Sequence, residues 1–432
     1  MHFPVLAAAW VLAALHGVAG AQTPAAPTAL TLAQAQRLAE TASPAVRLRE
    51  AQLSAAEGLR QQSSTLLADN PELSFERSNK QTRQAPLPDE RSNGWAMGIA
   101  QSIEIGGQQA RRREAASASM DALRAEIEDS RRQARGDAAL RFYAVLAAQR
   151  RIQVEQRATE LFDSTAQAIA KRRAAGEDTR LDANVALVEA ERARNALAVA
   201  REQWLDARGE LATVLQLPPS ALPEVAGASA TELTARAEAA LPYSLDQLVT
   251  GAQVLPRLRA LRARENAARA RLGVERASRL PDVTVGVNVG REGPGTARDR
   301  VTMLTLSVPL PLFKRNQAGI GQALTDVTTS EVERASVVRD QEAQVRRLWV
   351  RLGSQRDRVL RFQRALLPAS TDNQQLAAKS RQAGQIGLLE QLVINRQTLD
   401  AERELNEALG EFHATRIELE NAAGWSQEGT AR

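Results

Sequence analysis

Acidic residues and leucines follow two glycines of this chain, and together they form its best candidate for a functional site. Carboxylates at the start of a helix cap it and complement its dipole. In an assembly of identical chains such carboxylates also form rings that attract cations weakly, while leucines either seal that end of the structure or fill its coil. The candidate residues are Gly176, Glu177, Asp178, Leu181, Asp182, Gly384, Leu388, Leu389 and Glu390. The sequence leaves both roles open.

Transition-metal binding and covalent catalysis lack the residues that they need. The chain has no cysteine and three histidines, of which His2 and His16 lie at the N-terminus. The remaining one, His413, is expected on a helix surface, and the methionines are scattered along the chain. Because soft metals select sulfur and imidazole ligands, and acid–base or nucleophilic catalysis mostly uses the same side chains, we expect no metal site, no cofactor and no enzyme activity.

Composition favours long helices and excludes a typical nucleic-acid-binding protein. Aromatic residues make up only 3% of the 432 residues, so the large side chains that normally fill globular cores are scarce. The 56 basic and 51 acidic residues are finely interspersed, whereas nucleic-acid-binding proteins concentrate their positive charge on one face or tail. Solvated helix faces that carry both charges explain this pattern.

The two halves of the chain repeat the same order of signals. Thr31, Pro44, Pro71 and Gly176 in the first half correspond to Ser244, Pro256, Pro281 and Gly384 in the second. The offset falls only from 213 to 208 over a whole half. Such a near-constant spacing indicates that one supersecondary unit is duplicated and packs against its twin or against other chains.

The N-terminal segment predicts export from the cytoplasm. Residues 1–21 are apolar and end in Ala19-Gly20-Ala21, which is typical of a signal peptide and its cleavage site, although no Lys or Arg precedes the apolar run. No other stretch approaches the roughly 20 apolar residues of a membrane-spanning helix.

Four segments alternate between apolar and small or polar residues, as strands with one apolar face do. In residues 283–290, for example, every second residue is valine. The predicted strands are 71–79, 94–105, 282–291 and 300–310, with polar loops at 79–93 and 291–300. Strands of about ten residues with one apolar face suit a transmembrane barrel. Four strands cannot close one, so several chains must share it, unless the hairpins lie on a soluble helical body.

The remaining segments predict unusually long helices. The predicted helices are 108–174, 178–216, 318–382 and 386–424, and the first of them would span roughly 100 Å. A heptad seam supports the third helix. Its residues are Val338, Gln341, Val345, Leu348, Leu352, Gln355, Val359, Phe362 and Leu366. We expect Pro368 to kink this helix, and Gly176 and Gly384 to end one helix and reverse the chain into the next.

These elements define a fold class and a division of the chain. The fold is mainly α with a small β part: a long coiled-coil α-helical barrel joined to a transmembrane β-barrel that subunits share, with four strands per chain and an internal duplication. The expected divisions are a signal peptide (1–21), a first repeat (22–216), an equatorial linker (217–242), a second repeat (243–425) and a C-terminal tail (426–432).

In this order of elements the chain resembles the TolC-like outer membrane factors of Gram-negative bacteria. The resemblance covers nearly the whole mature chain, including the tips Ala175-Gly176 and Ala383-Gly384. Two strand-to-helix junctions, Glu104-Ile105-Gly106-Gly107-Gln108 and the segment 307–317, are similar to those of the cobalt-zinc-cadmium resistance branch.

The resemblance implies a homotrimer with a twelve-stranded barrel in the outer membrane and a long periplasmic tunnel. It also implies two partners, a periplasmic adaptor and a proton-driven resistance-nodulation-division pump. The expected function is passive conduction of divalent heavy-metal cations from pump and adaptor to the exterior, with the candidate residues acting as a gate or as an adaptor contact. Two alternatives stay open: a channel for drug efflux or type I protein secretion, and a soluble periplasmic coiled-coil adaptor or scaffold.

Overall fold

The computed structural model describes residues 29–84, 87–227, 230–293 and 298–425. The expected signal peptide (1–21) and C-terminal tail (426–432) lie outside these ranges. The helices are α1 (Leu32–Ala42), α2 (Pro44–Ser64), α3 (Gln108–Ala174), α4 (Arg180–Val214), α5 (Ala230–Glu238), α6 (Leu245–Gln253), α7 (Pro256–Ala277), α8 (Gln317–Arg361), α9 (Leu367–Gln382) and α10 (Leu388–Ala423). The strands are β1 (Glu72–Gln84), β2 (Leu87–Ile103), β3 (Val283–Glu292) and β4 (Asp299–Ser307).

Equivalent caps begin the corresponding helices of the two halves. The Thr31 side chain caps α1 and the Ser244 side chain caps α6, and each forms a reciprocal capping box with a glutamine three residues later. Pro44 and Pro256 occupy the first turn of α2 and α7, where a missing N–H costs no helical hydrogen bond. The same local solution therefore appears twice, as duplication predicts.

The four strands form one antiparallel sheet in the order β1-β2-β3-β4. The last residues of β1 and β3 and the first residues of β2 and β4 lie at one end of the sheet, and the long helices α3 and α8 follow its other end. The strand boundaries of the first hairpin differ from the prediction. The expected loop 79–93 is mostly strand, because β1 and β2 continue their pairing to Gln84 and Leu87. Two strands can pair through their backbones without alternating apolar residues. The polar sequence of this segment therefore did not indicate strands.

The second hairpin also departs from its predicted bounds. Strand β4 ends at Ser307 rather than near residue 310. Pro309 and Pro311 follow directly, and a proline has no N–H to donate to a neighbouring strand. Strand β3 covers Val283–Glu292, close to the expected range 282–291.

The register separates the side chains of the sheet onto two faces, because directly paired residues point to the same side. We call them the apolar face and the polar face. On the apolar face one row across all four strands is Leu73, Ile99, Val287 and Leu304, and the next is Phe75, Met97, Val289 and Thr302. The intervening row on the polar face is Ser74, Gly98, Asn288 and Met303. The apolar face is exposed in the single chain, with Leu304 75% and Phe75 68% exposed.

Gly98 shows how closely the polar face is packed. A Cβ placed on Gly98 would lie 1.7 Å from the side-chain oxygen of Asn288 and 2.8 Å from the hydroxyl of Ser74. Both distances are far shorter than van der Waals contact, so a side chain at this position would require the Asn288 and Ser74 side chains to rotate away.

The second long helix is interrupted, whereas the prediction was a single helix at 318–382 with a kink at Pro368. Helix α8 ends at Arg361, a π-helical turn covers Phe362–Leu366, and α9 begins at Leu367. Pro368 cannot donate to the carbonyl one turn earlier and its ring crowds that carbonyl. The wider π-turn directly before it accommodates this defect.

Small residues and leucines join the helices in separate clusters along the body. The largest cluster lies in the second half and contains most of the expected heptad seam, with Val345, Leu352 and Val359 fully buried. Burial of one such leucine contributes about 2 kcal/mol. Val338 and Leu366 at the ends of the seam are 36% and 44% exposed, so the coil contact covers less of the helix than the pattern suggested.

The linker contains more structure than its sequence indicated. Helix α5 lies within the expected linker 217–242, and Leu30 forms a parallel bridge with Val225. The carbonyl oxygen of Leu233 in α5 lies 3.2 Å from Nε2 of His413. His413 is therefore 2% exposed, and its expected position on a helix surface is wrong. Among the described residues, no helix is both long and apolar enough to cross a membrane.

Candidate functional site at the helical hairpin tips

A left-handed glycine reverses the chain at each of two hairpin tips. Gly176 has φ 81° between α3 and α4, and Gly384 has φ 72° between α9 and α10. In the first tip the N–H of Glu177 donates to the carbonyl of Arg172 at 2.9 Å, and in the second the N–H of Gln385 donates to that of Ser380 at 2.8 Å. Both tips therefore end in the same glycine-dependent C-cap, as the sequence predicted.

Asp178 joins the two tips. Its Oδ2 accepts from Nε of Arg172 at 2.9 Å within its own hairpin, and its Oδ1 accepts from Nη2 of Arg381 at 2.9 Å in the other hairpin. The side chain of Asp178 is only 6% exposed and that of Arg381 is 17% exposed. A carboxylate between two guanidinium groups in a partly desolvated environment forms strong, charge-assisted hydrogen bonds. Helix capping alone therefore does not describe Asp178.

Asp182 and Glu390 have the capping role that their positions allowed. The Oδ2 of Asp182 accepts from the backbone N–H of Thr179 at 3.1 Å and from its hydroxyl at 2.6 Å. The Thr179 side chain and backbone hold the pKa of Asp182 below its ordinary value. Glu390 accepts from the backbone N–H of Gly387 at 3.1 Å in the same way. The two carboxylates are thus equivalent parts of the two repeats.

The leucines and the remaining acid divide between core and surface. Leu388 is 3% exposed and packs in a cluster with Ile169 and Leu392, so it fills the coil. Leu181 and Leu389 are 70% and 61% exposed at the tip surface. The side chain of Glu177 is 58% exposed, and it lies 3.5 Å from Arg172 in a loose ion pair.

Sequence reasoning missed the cations of the site. Arg172 and Arg381 decide how Asp178 is held, and each lies in the last turn of the helix before its tip. Basic residues at a helix C-terminus are common because they complement its dipole, so position alone did not mark these two. No group of three or more metal-ligating side chains occurs in the ranges that the structure describes.

The sequence profile of a known family matches most of this chain. The family is described as outer membrane efflux protein, and the match covers residues 35–215 and 253–425. The chain belongs to the outer membrane efflux protein family. The match comes in two blocks, one in each structural half. The family consists of channel proteins and not of enzymes, and it places the chain in the outer membrane with its long helices in the periplasm. The alternative of a soluble periplasmic adaptor is therefore wrong.

Individual relatives agree with this assignment. The chain is 29% identical over 231 residues to the cobalt-zinc-cadmium resistance protein CzcC of Cupriavidus metallidurans, and this similarity covers 54% of the chain and 53% of that relative. Two solved structures share the fold at low identity. The outer membrane protein VceC of Vibrio cholerae has a TM-score of 0.70 at 16% identity, covering 91% of this chain and 96% of that one.

The second structure is the open state of the MtrE outer membrane channel of Neisseria gonorrhoeae. It has a TM-score of 0.70 at 17% identity and covers 91% of this chain and 89% of that one. The fold therefore is that of a TolC-like channel, with a helical barrel joined to a β-barrel that subunits share. In such a barrel the apolar face of the sheet contacts lipid and the polar face lines the lumen.

Proposed function

We propose that this chain is the outer membrane channel subunit of a tripartite resistance-nodulation-division efflux system, and that it conducts divalent heavy-metal cations passively to the exterior. A homotrimer would supply twelve strands to one barrel. Its partners would be a periplasmic adaptor and an inner-membrane pump, which provide the energy. The similarity to CzcC, whose name assigns it to cobalt, zinc and cadmium resistance, supports the choice of cargo.

The charge on the polar face of the sheet is the observation that carries the cation proposal. Acidic side chains occupy this face on all four strands, and Lys80 on β1 is a basic residue on the same face. The acids are Glu72, Glu76, Glu90, Glu292 and Asp299. A lumen lined by carboxylates concentrates cations and repels anions. Repetition by symmetry would multiply this charge along the wall of the barrel.

The hairpin tips would be the periplasmic entrance. Exposed Leu181 and Leu389 offer apolar contacts to an adaptor at the end of the tube. Asp178 links one hairpin to the other through Arg381, so movement of the hairpins apart requires this ion pair to break. We propose that Asp178 holds the closed state, that Asp182 and Glu390 preserve the shape of each tip, and that Glu177 belongs to the contact surface.

A deletion strain grown on metal salts and on drugs tests the cargo. The proposal expects lower tolerance of zinc, cobalt or cadmium salts, with drug tolerance unchanged. Loss of drug tolerance alone would favour a drug-efflux channel and reject the metal cargo.

Variants with altered charge on the polar face test its role in cation selectivity. Glu76→Gln combined with Glu292→Gln and Asp299→Asn should lower the preference for cations in planar bilayers, which reversal potentials measure. The matched control keeps the charge by exchanging aspartate and glutamate at these three positions, and it should keep the preference. Equal selectivity in the neutralised and charge-retaining variants would contradict the role of this face.

A further inference from the structure

The apolar face of the sheet ends in a row of arginines. Toward the hairpin turns, the row beyond Phe75 and Met97 consists of Arg77, Trp95, Arg291 and Arg300, one residue from each strand. Directly paired residues share a face, so three guanidinium groups and one indole lie side by side at the same height. All four side chains are exposed.

The position of this row matches the boundary of a membrane. The rows below it on the same face are apolar except for Gln101 and Thr302, and tryptophan is enriched where the hydrocarbon region meets the headgroups. The helices follow the opposite end of the sheet and lie in the periplasm, so the arginine row lies at the outer leaflet. Arginines at this height would be in contact with headgroups and not with acyl chains.

Charge is segregated between the two faces at this level. The acids next to the row in sequence, Glu76 and Glu292, point to the polar face, as does Asp299. From the level of Ile103 up to the arginine row, the apolar face carries no aspartate or glutamate. The described rows of the apolar face below the arginines therefore offer them no anionic neighbour.

The arginines of the helices behave differently. Each ion pair found within the described ranges takes its arginine from the helical part of the chain, as in Arg334 with Glu265 or Arg403 with Glu155. Arg77, Arg291 and Arg300 thus carry positive charge that is left for an external anion. Guanidinium groups bind phosphate oxygens through two parallel hydrogen bonds.

We propose that Arg77, Arg291 and Arg300, together with Trp95, form a binding site for phosphate groups of lipid headgroups in the outer leaflet. The indole inserts at the level where acyl chains begin, and the guanidinium groups contact the phosphates above it. In a barrel of several subunits the row repeats around the wall and fixes the height of the barrel in the membrane. This site is independent of the cargo that the channel conducts.

Lipid binding to the purified full-length oligomer tests the proposal. Native mass spectrometry counts phosphatidic acid or phosphatidylcholine retained by the wild type and by the triple variant Arg77→Gln, Arg291→Gln and Arg300→Gln. The wild type should prefer phosphatidic acid, whose phosphate is unshielded. The variant should lose about fivefold in affinity per arginine removed. Equal affinities of wild type and variant for phosphatidic acid would overturn the proposal.

A helical variant supplies a control with the same change in net charge. Arg347, Arg351 and Arg361 are exposed on α8, and their replacement by glutamine should leave lipid binding unchanged. An equal loss of lipid affinity in this control would show that the effect depends only on net charge, and the proposed site would be rejected. Inorganic phosphate forms the third arm: if it displaces phosphatidic acid at equal concentration, the row binds free anions and the lipid assignment is wrong.

A measurement without arginine variants covers the case in which they fail to assemble. Phosphatidic acid spin-labelled near the headgroup should quench the fluorescence of Trp95 more strongly than phosphatidylcholine with the same label. The difference between wild type and Trp95→Phe isolates this signal. Equal quenching by the two lipids would contradict the proposal.

Discussion

Asp178 and Arg381 lie 2.9 Å apart although 203 positions separate them in sequence, and they connect the tips of the two helical hairpins. Asp178 also binds Arg172 of its own hairpin. The carboxylate therefore holds three helix ends in one arrangement at the periplasmic end of the molecule.

Substitution of Asp178→Asn should loosen the tips. The neutral amide keeps the shape of the carboxylate but loses the attraction to both guanidinium groups, and we expect a loss of about 2 kcal/mol at the tip. Single-channel recordings in planar bilayers should show higher conductance or longer openings. The exposed neighbour Glu177→Gln is the control and should behave as the wild type; closed channels in both variants would contradict the link.

Acidification should destabilise the protein through His413. Burial, together with the charges of Arg150, Arg416 and Arg236, lowers the pKa of His413 to about 4 from its ordinary value near 6.5, against the raising effect of the hydrogen bond with Leu233. The unfolded chain thus binds a proton before the folded one does. Stability is retained above pH ~6.5, falls as pH drops toward ~4, and the loss is on the order of 3 kcal/mol at most.

Thermal melting of wild type and His413→Gln between neutral pH and pH ~4.5 measures this effect. The melting temperature of the wild type should fall more steeply with acidification than that of the variant. Parallel curves would mean that His413 does not titrate between the two states.

Gly290→Ala should disturb the normal pairing of β2 with β3. The added methyl group would lie 2.5 Å from the backbone carbonyl oxygen of Trp95, which cannot move away without shifting the strand. We expect loss of detergent-resistant oligomer in outer membrane fractions. Gly353→Ala in α8 is the control, because its Cβ meets no atom within 4 Å, and it should raise stability by about 0.5–1 kcal/mol. Normal assembly of Gly290→Ala would refute the close packing of β3 against β2 on the polar face.

Glu155 ties α3 to α10 in the helical body. It is fully buried, and its two oxygens accept from Nε of Arg403 at 3.0 Å and from Nη2 at 2.6 Å. Glu155→Ala removes the buried carboxylate that Arg403 shares with Arg151. It leaves Arg403 with only the exposed Asp400 and should cost about 3 kcal/mol. The double variant Glu155→Leu with Arg403→Met should recover most of this loss, since an apolar pair of similar volume replaces a buried ion pair well.

Melting temperatures of Glu155→Leu, Arg403→Met and their double variant provide the cycle. The pair of Arg141 and Glu210, whose side chains are 48% and 56% exposed, serves as a surface reference. Glu210→Ala should change stability by less than about 1 kcal/mol. A Glu155→Ala variant as stable as Glu210→Ala would show that burial does not strengthen the internal pair.

The long elements could be predicted from the sequence because their signals are local. Helix α3 ends at Ala174 as expected, since glycine in the left-handed region marks the end of a helix regardless of tertiary context. The alternation of apolar residues in β3 is also a local signal, because one face of the strand contacts an apolar environment along its whole length. The duplication strengthened both assignments, because each signal occurs twice.

Features that depend on distant partners could not be predicted. Whether His413 is buried depends on α5, which arrives from 180 positions away. Pairing in the polar part of β1 and β2 leaves no pattern of hydrophobicity. At the tips the sequence supplied the carboxylates, but only the fold shows that Asp178 meets Arg381 while Asp182 and Glu390 serve their own helices.

The two edge strands of the sheet determine how long subunits stay together in the membrane. β1 and β4 each offer one unpaired row of backbone groups, which in hydrocarbon must be matched by an adjacent subunit. If a subunit dissociated, the backbone groups of both edge strands would lose these hydrogen bonds in a region where no water can replace them. We therefore expect that subunits do not dissociate once the barrel is inserted. Two differently tagged populations mixed in one membrane should not exchange subunits.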